Sequence, residues 1–232
     1  DCYIRYCYGG ISLEDTVTDM SIIDNDIIDM TKFGISIGYD WNATAQTLFT
    51  GDNFRLHRNH IESINTGSNE VAIGNGYGIH IARGSVIDIK GGYIEDVYAQ
   101  SGNISYGIFI DGIIDGSYVL ATEINNVNIS TGFSGTKYNV WLANCWYGGG
   151  SGNHFEGITG GVAQQSTSRW FIFYSNYFTG SPSVSYTLSG QSSFAYDLVN
   201  EKLIASSNIT GTTNFIYDFN IQLGRKIVYK IL

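Results

Sequence analysis

Two glutamates recur at matching places in this sequence, and their spacing suits proton transfer. Glu62 ends the segment Leu56-His57-Arg58-Asn59-His60-Ile61-Glu62, and Glu95 ends Ile89-Lys90-Gly91-Gly92-Tyr93-Ile94-Glu95, with starts 33 residues apart. If the two segments occupy neighbouring turns of a repeating fold, the carboxylates stack one turn apart and repel each other. A carboxylic acid held beside an ionised carboxylate is what hydrolysis of a glycosidic bond requires. Tyr93 and His60, two residues before each glutamate, offer different chemistry: removal of the proton beside a uronate, with a basic residue holding the sugar carboxylate. The same column takes in Asp29, Ser130 and Glu156, with Asn128 and His154 two residues ahead of the last two. A polar ladder facing solvent or a neighbouring subunit would show the same spacing.

A second set lies on another repeated segment. Phe33-Gly34-Ile35-Ser36-Ile37, Tyr77-Gly78-Ile79-His80-Ile81, Tyr106-Gly107-Ile108-Phe109-Ile110 and Tyr138-Asn139-Val140-Trp141-Leu142 share one order: aromatic, small, aliphatic, any, aliphatic. With the aliphatics inward, Ser36, His80, Phe109 and Trp141 form an outward column, and Asp111 belongs to the next. Sugar rings pack their apolar faces on such aromatics and leave hydroxyls for carboxylates and amides. His80, Arg83 and Asp111 then lie close on adjacent turns, a set able to bind an acidic sugar and transfer a proton. Solvated surface residues would be spaced in the same way.

Trp146 and Tyr147, followed by Gly148-Gly149-Gly150, read as a loop, the usual carrier of binding side chains. With Trp141 and Trp170 they make the densest aromatic cluster. The glycine run lacks the Lys-Ser/Thr ending of a phosphate loop. Asp24, Asp26 and Asp29 lack the Gly and Glu spacing of a calcium loop. No metal site and no cofactor is expected. Cys2, Cys7 and Cys145, an odd number, fit small buried hydrophobes better than a disulfide framework.

The elements that must position these residues follow from composition and repeat. The chain has 232 residues with 29 Gly, 17 Tyr and a single Pro, and isoleucine and valine fall in short runs, which reads as strands joined by tight turns. A formal charge of −9 with only 12 Lys and Arg argues against nucleic acid as partner. Apolar runs of about five residues fall far short of the roughly 20 needed for a membrane helix, so no membrane insertion is expected.

Starts of the aromatic motif lie 44, 29 and 32 residues apart, and the glutamate motif runs out of phase with it. Each repeat therefore holds at least two short strands. A hairpin array has no need to repeat one motif in one order; a coiled chain does, because each strand lies on its counterpart about 4.8 Å away. Propeller blades recur at longer, steadier periods. Asn59, Gly91-Gly92, Asn125-Asn126 and Asn176 suit corners with left-handed backbone. The expected fold is an all-β, right-handed parallel β-helix over 1–180, with loops at 40–50, 65–76 and 112–118. Residues 181–232 leave the register and read as a β cap or a small trimerisation module.

The coil motif, turn chemistry and aromatic outward positions over residues 15–180 resemble the pectate-lyase-like β-helix domains of phage tailspikes and capsule depolymerases. The resemblance implies a homotrimer, a virion location on the phage tail outside the cell, and binding of O-antigen or capsule. It also implies cleavage of glycosidic bonds in bacterial surface polysaccharide, by hydrolysis or β-elimination. No catalytic signature is shared, so Glu62, Glu95, Asp111 and His80 as catalytic residues, and Arg83, Tyr93, Phe109, Trp141, Trp146 and Tyr147 as substrate-binding ones, rest on the columns above. An adhesive β-helix that leaves its glycan intact, and a secreted pectinase-like monomer, are the other readings.

Overall fold

The computed structural model describes residues 2–14, 17–39, 41, 51–65, 74–112, 119–131, 136–156, 160–164, 169–174, 177–179, 193–197 and 202–206. Among them the chain is all-β and nearly every strand belongs to one of three parallel sheets. The first sheet holds β1 (Tyr3–Arg5), β4 (Asp26–Ile28), β7 (His60–Ile64), β10 (Tyr93–Val97), β13 (Asn128–Thr131), β16 (His154–Glu156) and β19 (Tyr177–Thr179). The second holds β2 (Gly9–Leu13), β5 (Phe33–Ile37), β8 (Gly76–Ile81), β11 (Ile104–Asp111), β14 (Thr136–Ala143) and β17 (Gly160–Gln164). The third holds β3 (Ser21–Ile23), β6 (Asp52–His57), β9 (Ser85–Lys90), β12 (Val119–Asn125), β15 (Cys145–Ser151) and β18 (Arg169–Tyr174). Within these sheets each strand pairs with those three places away along the chain, so β1 to β19 visit the three sheets in rotation, an arrangement compatible with a parallel β-helix.

The repeat thus contains three strands. The glutamate motif is two of them, one from the third sheet and one from the first, joined by a two-residue corner. These corners are Asp24-Asn25, Arg58-Asn59, Gly91-Gly92, Asn126-Val127 and Gly152-Asn153, and the first residue of each has φ between 53° and 67°. Left-handed backbone turns the chain sharply, and Asn, Asp and Gly tolerate it best. The second corner residue faces inward. Asn25 Nδ2 and its backbone N–H both donate to Asn59 Oδ1, and Asn59 Nδ2 donates to the Ile22 carbonyl at 2.8 Å. Asn153 repeats the device, accepting from the Val127 N–H and donating to the Ile124 carbonyl. Corner polar groups that water cannot reach are satisfied in this way.

The aliphatic residues stack as ladders inside. Ile27, Ile61, Ile94, Ile129 and Phe155 are in register on the first sheet, and Ile35, Ile79, Ile108 and Val140 on the second. All of these are at most 3% exposed, and burying each such side chain contributes roughly 1.5–3 kcal/mol. The small second residue of the aromatic motif has a packing cause. A Cβ on Gly78 would lie 2.4 Å from Ile94 Cγ2 and 2.6 Å from the Gly107 carbonyl oxygen, and Gly34 and Gly107 meet the same obstacles. Asn139 takes this place in the next coil, buried, with its Nδ2 donating to the Ile129 carbonyl.

Three expectations are corrected and one motif gains copies. Trp146 and Tyr147 lie in strand β15, not in a loop, because the residues paired with them in β12 and β18 continue the third sheet. Ile28, not Asp29, is the register partner of Glu62, since the strand ends one residue before the left-handed Asp29. The aromatic motif has further copies at Gly9–Leu13 and Gly160–Gln164, where glycine replaces the aromatic. Cys145 is buried, but Cys2 and Cys7 are exposed on the first coil. Of 181–232, the described pieces are β20 (Ser193–Asp197) and β21 (Lys202–Ser206), an antiparallel hairpin beside β18. The rest of that segment, Asn176, and most of the three proposed loops lie outside the described residues.

Candidate functional site

Glu62 and Glu95 are direct register partners on β7 and β10, as are His60 and Tyr93. Alternation then sends all four side chains out of the first sheet while Ile61 and Ile94 point inward. The corner before each strand adds Arg58 and Gly91-Gly92, whose left-handed turns set the strand direction. Arg58, His60, Glu62, Gly91, Gly92, Tyr93 and Glu95 line an open recess of about 750 Å³. Side-chain chemistry at its floor is mixed. His60 Nδ1 lies 3.2 Å from Asp26 Oδ1 and its Nε2 3.4 Å from Glu62 Oε2, so the imidazole bridges two carboxylates. The His60 and Tyr93 rings meet edge to face at 6.3 Å, and Tyr93 is half exposed. The Arg58 guanidinium grips Asp24 on the preceding coil, which holds the Asp24 carboxyl below the usual range. The recess therefore offers paired carboxylates, an imidazole, a phenol and a guanidinium.

The second sheet carries the other set, and here the geometry differs from the expectation. Ser36, His80, Phe109 and Trp141 do form one column in register. Yet His80 is 5% exposed, covered by Tyr39, Trp41 and Tyr77 with ring centroids 5.0–5.3 Å away. Trp41 Nε1–H donates to Ser36 Oγ at 2.9 Å, and Ser36 Oγ lies 3.3 Å from His80 Nδ1. Burial, helped by the Lys32 charge, pushes the imidazole down to about 3. A histidine acting as general acid does so as the imidazolium, the form that burial among these rings disfavours.

The rings of this sheet spend their faces on one another. Tyr77 stacks on Tyr106 at 5.4 Å and 8°, Tyr106 on Tyr138 at 6.0 Å and 18°, and His80 on Phe109 at 5.3 Å and 10°. Phe109 also meets Tyr77 and Tyr106 edge to face at 5.3 and 4.6 Å. Burial raises the Tyr106 and Tyr77 phenols above the ordinary tyrosine range. Lys32 lies over Trp41 and Tyr77 and donates to the Asn75 carbonyl, and burial lowers its ammonium. Trp141 is half-buried and meets Tyr138 and Tyr106 edge-on at 4.8 and 5.9 Å.

The expected trio of His80, Arg83 and Asp111 is not an exposed cluster. Arg83 is 2% exposed, just past the end of β8, and Gly38 packs against its backbone. Asp111, at the end of β11, accepts from Asn144 Nδ2 at 2.8 Å. Neither shares the recess of Glu62 and Glu95. The side chains of Trp146 and Tyr147 lie outside what is described. Sequence spacing thus brought together Glu62, Glu95, Tyr93 and His60 but missed Arg58, whose place in a two-residue corner before β7 was its signal. The Ser36–Trp41 bond was invisible, because Trp41 lies outside the repeat.

Among the described residues, no group of three or more His, Cys, Asp and Glu side chains is placed to hold a metal ion. No known family model matches the chain, and searches of curated proteins and of solved structures likewise return no match.

Proposed function

We propose that this chain is a tailspike-type domain that binds a bacterial surface polysaccharide, capsule or O-antigen, and cleaves its glycosidic bonds at the recess on the first sheet. The finer reading of the fold as a right-handed β-helix goes with this, as do assembly into a homotrimer and a place on the phage tail. The carrying observation is the register that sets Glu62 beside Glu95 in a recess also lined by His60, Tyr93 and Arg58. Paired carboxylates serve hydrolysis. Tyr93, His60 and Arg58 would equally serve β-elimination from a uronate, the guanidinium holding the sugar carboxylate.

Incubation with a panel of purified capsular and O-antigen polysaccharides, following reducing ends and unsaturated-uronate absorbance, tests the reading. Glu62→Gln and Glu95→Gln should each abolish cleavage while leaving binding intact. Full activity in both variants would discard the site, and no product from any polysaccharide would discard the enzyme. The adhesive reading draws on a different observation, the long aromatic strip of the second sheet, and predicts polysaccharide retention with no product at all.

A further inference from the structure

We propose that Gly91 is a specificity-determining residue: carrying no side chain, it leaves a notch one coil wide in the column of corner residues, through which a sugar unit of the polysaccharide reaches the recess. This rests on the proposed binding at the recess and adds the route of entry and the residue that sets it.

The fold does not call for glycine at this place. The corner residues Asp24, Arg58, Gly91 and Asn126 share one geometry, with φ angles of 58°, 53°, 63° and 55°. Each donates its N–H to the carbonyl of the last strand residue on the next coil, His57, Lys90, Asn125 and Ser151 in turn. Three of the four hold a side chain there. A Cβ on Gly91 would meet only Arg58 Cγ, at 3.4 Å, an ordinary contact. Gly92 is different: a Cβ there would lie 2.3 Å from the Asn59 carbonyl oxygen, so Gly92 is glycine for packing and Gly91 is not.

Both neighbours in the column lean away from the bare position. Arg58 reaches back one coil, its Nε donating to Asp24 Oδ1 at 2.7 Å. Asn126 extends towards the coil beyond, since a Cβ on Gly152 would lie 2.3 Å from Asn126 Oδ1. The gap is therefore open on both sides. It also opens into the recess, whose lining includes Arg58, Gly91, Gly92 and half-exposed Tyr93 but not Asn126. Glycine is the residue that lets a ligand come close to the backbone. A sugar entering here meets peptide groups beneath it, the Tyr93 ring beside it and a guanidinium at the edge, a setting suited to a ring with apolar faces and hydroxyl rims.

Gly91→Asn installs the side chain that Asn126 carries on this backbone, which asparagine tolerates, and Gly91→Arg installs that of Arg58. Both variants are compared with the unaltered protein by urea unfolding and, on the polysaccharide cut in the panel, by retention, KM and kcat. Gly91→Asn should unfold at a midpoint close to that of the unaltered protein, with KM raised about 10-fold or more and kcat little changed, because a filled notch removes binding rather than chemistry. Gly91→Arg should raise KM further. If the polysaccharide is retained but uncut, the same loss is expected in retention alone. Unchanged KM and retention in both variants overturns the notch while leaving the recess standing. A clearly lowered unfolding midpoint in Gly91→Asn overturns it as well, by making Gly91 a structural glycine. Neither retention nor cleavage by the unaltered protein removes the underlying reading, and this one with it.

Discussion

His80 shows how a residue with catalytic credentials is redirected by its neighbours. Enclosed by Tyr39, Trp41 and Tyr77, it stays neutral in the folded chain down to about pH 3, whereas the unfolded chain binds its proton near 6.5. Between those values the unfolded state holds more protons, so stability falls as pH is lowered, by at most about 1.4 kcal/mol per pH unit from this one group. Urea unfolding at pH 7, 6, 5 and 4 should show the loss, and His80→Phe should flatten the curve relative to the unaltered protein. An equal slope in both would mean that His80 is reached by water. Trp41→Phe should weaken the same site, because Ser36 loses its donor and His80 its cover. None of this was legible from the repeat, which gave the column containing His80 but not the tryptophan from outside it. The pair Glu62 and Glu95 was legible because each follows a two-residue corner at the same distance and sits next to an inward isoleucine, Ile61 or Ile94. Asp29 misled for lack of one residue: its strand stops at Ile28.

At the scale of the element, the two-residue corner is the device that keeps the strands in step. Asn59 accepts two bonds from Asn25 and donates one to Ile22, all buried. Asn59→Ala should cost about 1–3 kcal/mol by leaving backbone and amide groups unsatisfied, measured by urea unfolding. Gly78→Val should cost more than Gly78→Ala, since both drive a Cβ into Ile94 Cγ2 and valine adds bulk behind it. The opposite sign is expected at Val86, an exposed β-branched residue at φ 52° in β9, next to Asn53 at φ 59° on the neighbouring rung. Val86→Asn should stabilise by about 1 kcal/mol, since asparagine tolerates that backbone and valine does not. The aromatic motif was readable because its aliphatic third and fifth residues fill the core. Its copies at Gly9–Leu13 and Gly160–Gln164 were missed because glycine stands in the place of the aromatic, at Gly9 leaving room for the Phe33 ring. Trp146-Tyr147-Gly148-Gly149-Gly150 resembled a loop by composition, yet pairing on both sides overrides the weak strand preference of glycine.

Over the whole molecule each coil touches chiefly its two neighbours, so stability is close to a sum of coil and interface contributions. Ile61→Ala, in the middle, should cost about 2–5 kcal/mol and couple to both sides, while Ile4→Ala, on the partly covered first coil, should cost less. Hydrogen exchange should then show the first coil opening before the middle ones. Light scattering addresses the proposed trimer, for which a clean monomer would favour the pectinase-like reading. The overall architecture was legible because stacking forces like onto like, and the distribution of chemistry over separate faces was not, because spacing does not report which strand a side chain leaves from. The corners carry one last implication. Between the third and first sheets the connection is two residues in every coil, but at the other two edges its length varies freely from coil to coil. Lengthening is thus avoided along one seam and accommodated along two, so peptide segments inserted at those two seams should leave the scaffold untouched.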